Sequence, residues 1–194
     1  MEPADFSPQQ SLQLIEGMIN KAKNRFSENG FLYLLWGWVI LISAISHFVL
    51  LQVKIIPHPE IVWLSCIATV IFQLVYLNRS RKKSNVKTYS EEIIDYVWIS
   101  FGTCMFVVSF ISGKSNSWID MYPIIIMLYG IPTFLSGVIM RFTPLKAGGI
   151  CCFILAIVAS YIHNEYILLL LAAAVIAAWI IPGYILRSRF KKLN

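Results

Sequence analysis

From residue 31 onward the chain alternates between long apolar runs and short polar breaks. A transmembrane helix needs about 20 apolar residues, rising about 1.5 Å each, to cross a hydrocarbon core about 30 Å thick. That requirement predicts six spans, at residues 31–51, 61–78, 93–112, 119–140, 147–162 and 166–186. The fifth run is short, and Lys146 beside it is suited to reach toward the membrane surface and anchor that end. The fold class expected is all-α: a polytopic six-transmembrane-helix bundle.

The first thirty residues follow a different rule. Ser7 is a capping residue, Pro8 suits the first helical position, and Gln10 completes a capping box. Leu12, Ile15, Ile19, Ala22 and Phe26 then recur at alternating steps of three and four, which draws one apolar seam along a helix. Asn29-Gly30 ends it. An amphipathic helix with Lys21, Lys23 and Arg25 nearby has two homes: the cytoplasmic lipid face, or a partner helix, including its own copy in a homodimer. The lipid face is favoured, because five apolar positions are few for a lone coiled coil. Three regions follow: an amphipathic interfacial helix and turn at 1–30, the bundle at 31–187, and a basic tail at 188–194. The first thirty residues hold no continuous apolar segment, so a cleavable signal peptide is not expected.

Composition agrees with lipid as the solvent. Of 194 residues, 58% are hydrophobic and only 13% are charged, whereas soluble chains carry roughly a quarter charged. Charge then orients the bundle. Of sixteen Lys and Arg, only Lys54 and Lys114 fall on one side. The others cluster before the first span, in the 79–92 loop, around Arg141 and Lys146, and in the tail from Arg187. The positive-inside rule places both termini in the cytoplasm. The net charge of +6 is read as topogenic, and no nucleic-acid partner is expected. Arg81, Lys82 and Lys83 are the candidate contact for anionic phospholipid headgroups, against the plainer reading that they fix topology.

Polar residues inside the runs mark faces turned away from lipid. Cys66, Thr69, Gln73 and Tyr76 share one face of the second span. Trp36, Ser43 and His47 share one of the first, and Tyr122, Tyr129, Thr133 and Ser136 one of the fourth. Two readings stand: the stripes line a midplane solute cavity between spans one, two and four, or they hold helices together, as membrane hydroxyls and amides commonly do. Gly130 and Pro132 form the candidate hinge, since Pro132 frees the Leu128 carbonyl; Pro182 does the same for Ala178. Small residues (Gly130 and Gly137; Gly149, Cys152, Ala156 and Ala159; Ala174 and Ala178) predict close packing of the last three helices. Residues 34–43 resemble residues 127–136, and a true match would be an inverted repeat.

Catalytic chemistry is hard to find. The chain lacks GxSxG, HExxH and a nucleotide-binding glycine loop, so an enzyme is not expected. Cys66, Cys104, Cys151 and Cys152 lie within spans, without metal spacing. His47, His58 and His163 fall near the outer face without paired-ligand spacing. No metal or cofactor is expected. No Lys, Arg, Asp or Glu sits at a span centre, which disfavours ion coupling through a buried carboxylate.

Several local motifs carry a resemblance. Leu35-Trp36-Gly37-Trp38, Leu128-Tyr129-Gly130 with Thr133-Phe134-Leu135-Ser136-Gly137, Pro144-Leu145 before Gly148-Gly149, and Ile181-Pro182-Gly183-Tyr184 resemble a family of small six-span bacterial inner-membrane proteins with no assigned activity. The resemblance implies a bacterial plasma membrane and supplies no catalytic or ligand residue. Function is expected to be non-enzymatic, as a regulatory or accessory membrane protein; the alternative is a small-solute transporter or channel. The expected partners are the lipid bilayer and a second copy or partner membrane protein.

Overall fold

The computed structural model describes residues 30–54, 56–81, 89–114 and 119–193. The expected amino-terminal helix lies outside the described residues, as do Lys82, Lys83 and the side chain of Arg81. Among the described residues every regular element is helical. Helix α1 is Gly30–Val53. A 3-10 turn at Pro59–Trp63 leads into α2, Leu64–Arg81. Helix α3 is Tyr89–Ser112, and a short turn at Ile119–Met121 opens α4, Tyr122–Ile139. Helix α5 is Thr143–Ala159. The last helix is composite: α6 at Ile167–Val175, a π-helical turn at Ile176–Ile180, and α7 at Ile181–Leu193.

Five of these are long and apolar enough to cross a membrane: Gly30–Val53, Pro59–Arg79, Glu92–Ser112, Ile119–Ile139 and Ile167–Arg189. Helix α5 is apolar but has 17 residues, or roughly 26 Å at 1.5 Å per residue. It begins at Thr143, about one turn before the apolar run at 147–162 suggests. Pro144 in its first turn explains the early start, because proline's fixed φ is already helical there.

The turn between α4 and α5 is tight and specific. Arg141 takes a left-handed φ of 50°, Arg141 N–H donates to the Val138 carbonyl at 3.1 Å, and Phe142 N–H donates to the Gly137 carbonyl at 2.9 Å. This pair of bonds is a Schellman cap, with arginine at the position glycine usually holds. Phe142 is thereby buried, with the Arg189 guanidinium 5.1 Å above its ring.

Helices α1, α4, α5 and the composite last helix build the core, where Ala44, Ile126, Leu145, Leu171, Val175 and Ala178 meet. Close approach is made by small residues. A Cβ at Gly149 would stand 2.6 Å from Phe134 Cβ, and one at Gly148 would stand 2.7 Å from the Ala177 carbonyl oxygen. Next to these, the Cys152 thiol donates to the Ala174 carbonyl at 3.8 Å. The packing expected of the last three helices is therefore seen residue by residue. Helices α2 and α3 stand outside this core. Only 6% of each of their apolar windows is buried, against 61% in the last helix.

Candidate functional site

Antiparallel helices α1 and α2 face each other through a ladder of side chains. Phe31 meets Tyr76 with ring centroids 5.2 Å apart. Further along, the Trp36 indole N–H donates to Gln73 Oε1. Ser43 and Ser65 share a hydroxyl hydrogen bond at 2.8 Å, and Trp63 Nε1 donates to His47 Nδ1 at 3.0 Å. As one partner climbs α1, the other descends α2, so every contact belongs to one register. Polar pairs in lipid stabilise association by roughly 0.6 kcal/mol each. With so little of α2 buried, this ladder is its principal tie to α1.

The α4 stripe meets a different neighbour. Trp179, 2% exposed on the π turn, donates its indole N–H to Thr133 Oγ1 at 2.9 Å. Thr133 in turn donates to the Tyr129 carbonyl at 2.7 Å. The Trp179 ring lies 4.7 Å from that of Tyr129 and 6.0 Å from Trp98, while Trp98 touches Tyr33 and Phe101. Side chains from α1, α3, α4 and the last helix thus converge on one aromatic cluster. The π turn has a local cause. Pro182 offers no N–H to the carbonyl of Ala178. In the turn just ahead of it, Ile181 N–H bonds five residues back to the Ile176 carbonyl. Such bulges often occur at functional positions. This one faces the helix that carries Pro132.

The residues singled out from sequence are distributed as follows. Trp36, Ser43, His47 and Gln73 belong to the α1–α2 ladder, with Tyr76 at its end. Thr69 is buried and donates to the Ser65 carbonyl at 2.8 Å, and Cys66 is half-buried on the same helix. Tyr129 and Thr133 sit under Trp179. Ser136 is fully buried, near the Tyr33 side chain of α1. Gly130 packs on Phe153 and on the Gly149 carbonyl, and Pro132 is buried. The ladder reaches α4 at its outer end, where the Tyr122 hydroxyl lies 3.4 Å from His47 Nδ1 and its ring 6.5 Å from that of Trp63. Sequence reading missed the partners Trp63, Ser65, Trp98 and Trp179. Tryptophan counts as apolar in a hydropathy scan, yet each carries a donor that must be satisfied in lipid.

Two open grooves mark the described surface. One, of about 370 Å³, runs between α3 and α4, past Ser100, Cys104, Leu128 and Pro132. The other, of about 360 Å³, lies by Asp120, Ser160 and His163. No cluster of metal-binding side chains occurs among the described residues. No family model, curated protein or solved structure matches this chain. Fold and composition define the class: the described residues form an all-helical bundle with five membrane-length apolar helices, as in a multi-pass membrane protein.

Proposed function

We propose that this chain is a bacterial inner-membrane protein that crosses the bilayer six times, with both termini cytoplasmic, and acts through contacts as a regulatory or accessory subunit. The short α5 completes the sixth crossing, with Lys146 reaching to the cytoplasmic surface. The observation that carries the reading is the pairing of polar side chains. Gln73, Ser43, His47 and Thr133, four of the ten residues expected to line a solute path, are each bonded to a side chain on a neighbouring element. The amphipathic segment at 7–28 then serves as the cytoplasmic handle for a partner membrane protein or a second copy, and Arg81, Lys82 and Lys83 bind anionic headgroups.

A second reading, a small-solute transporter, is favoured by one observation. Pro132 in α4 and the π turn with Pro182 place two irregular helices face to face, joined by the Trp179–Thr133 bond. Broken helices opposed at mid-bundle are a feature of transporters. The two readings part in a liposome assay run beside a truncation. The contact reading expects no protein-dependent flux of ions, amino acids or sugars. It also expects that deleting residues 1–28 leaves a folded bundle but removes the phenotype of the intact chain. Saturable flux, or a truncated chain with full activity, overturns it.

A further inference from the structure

His47 Nδ1 lies 3.0 Å from the indole nitrogen of Trp63 and 3.4 Å from the hydroxyl of Tyr122. The indole N–H is a donor only, so Nδ1 must accept, and the imidazole is neutral with its proton on Nε2. A further proton has one place to go on this ring, the lone pair that Trp63 occupies. Once Nδ1 is protonated it becomes a donor, two donors face each other, and the Trp63 bond is lost. The Tyr122 oxygen carries acceptor lone pairs and stands ready at the same nitrogen. One proton from water therefore exchanges the partner of His47, from the 3-10 turn to α4.

We propose that His47 is a proton-binding site reached from the outer aqueous side, and that its protonation exchanges Trp63 for Tyr122 and loosens the tie of the Pro59–Trp63 turn and the head of α2 to α1. The turn has no buried residue of its own. The His47 bond and the edge-on contact of the two rings, 6.1 Å apart at 84°, tie Trp63 to α1, while its ring also lies 6.5 Å from that of Tyr122 on α4. The next tie along α2 is the Ser43–Ser65 bond, so release at Trp63 passes directly to the ladder. The elements next to the site carry other ionisable groups. The turn carries Glu60, bonded to His58 at 2.9 Å; Asp120 precedes Tyr122; Glu165 accepts from Gln52 at 3.1 Å. Lys54 lies beyond the end of α1. This inference takes the outer placement of His47 from the topology above and is independent of the contact reading.

The test uses the full chain labelled with 5-fluorotryptophan, in which Trp63 is assigned by a W63F variant. Its fluorine resonance should move in a one-proton titration as the pH is lowered. His47→Asn keeps an acceptor near the Nδ1 position without titrating, and should hold the resonance at its neutral position. Tyr122→Phe removes the second acceptor and should lower the titration midpoint. His58→Asn should leave the titration in place. A resonance that stays fixed while the protein remains folded overturns the proposal. So does an H47N protein that titrates like the parent, or a Y122F midpoint that does not move. In sealed vesicles the titration should follow external pH. Titration in detergent together with a response only to internal pH overturns the outer placement, and with it the topology, while leaving the proton site intact.

Discussion

Replacing Trp179 with alanine should destabilise the bundle by about 3 kcal/mol, the low end of the roughly 3–5 kcal/mol range for burying and then deleting a large aromatic. The low end applies because lipid is as apolar as the core, so the loss comes from packing contacts rather than from transfer out of water. Trp179 is 2% exposed, and its ring contacts Tyr129 and Trp98. Thr133 keeps its bond to the Tyr129 carbonyl in the variant, so no orphaned hydroxyl adds to the cost. W179F, which keeps most of the ring and loses only the donor, should cost about 1 kcal/mol. Reversible unfolding in bicelles measures both. A double-mutant cycle with Thr133→Val should return a coupling near 0.6 kcal/mol. An alanine variant as stable as the parent would show that the aromatic cluster does not hold the bundle together.

Gly149→Ala should cost roughly 1–3 kcal/mol through overpacking, and Gly149→Leu should prevent α4 and α5 from packing at all. The added Cβ would stand 2.6 Å from Phe134 Cβ and 2.8 Å from Phe134 N. Backbone atoms cannot rotate away, so the helices must separate. Gly102 is the matched control, since a Cβ there meets nothing within 4 Å. Gly102→Ala should leave stability within about 0.5 kcal/mol of the parent. The same unfolding measurement, applied to both glycines, checks the contrast. Equal tolerance at the two sites would contradict the close α4–α5 contact.

How much of this was legible from the chain depends on the kind of signal. Apolar runs located the helices because lipid allows no other way to satisfy the backbone. The run at 31–51 became Gly30–Val53, while α5 shifted by a turn under the influence of Pro144, α3 starts earlier than its apolar run, at Tyr89, and the last helix continues to Leu193. Helical spacing placed Trp36, Ser43 and His47 on one face, but it could not choose their partners. Of those partners, Gln73 lay on the second-span stripe and Ser65 continues it four residues before Thr69, whereas Trp63, like the Trp179 that meets Thr133, reads as apolar. Pairing α1 with α2 in one antiparallel register would have brought residues 36, 43 and 47 opposite 73, 65 and 63, and that signal was available from spacing alone. The π turn was less accessible. Pro182 announced a freed carbonyl, yet nothing in the local sequence says that the helix widens instead of kinking.

Everything rests on six crossings with the two ends on one side, and α5 is the helix that decides it. Alkaline phosphatase fused after Pro57 and after Asn194 reads this directly, since the enzyme is active only outside the cytoplasm. The account predicts activity at Pro57 and none at Asn194. Activity at both would mean that one of the crossings between them, α5 first, is not made, and would contradict the cytoplasmic placement of the carboxyl terminus; no activity at Pro57 would contradict the outer placement of His47.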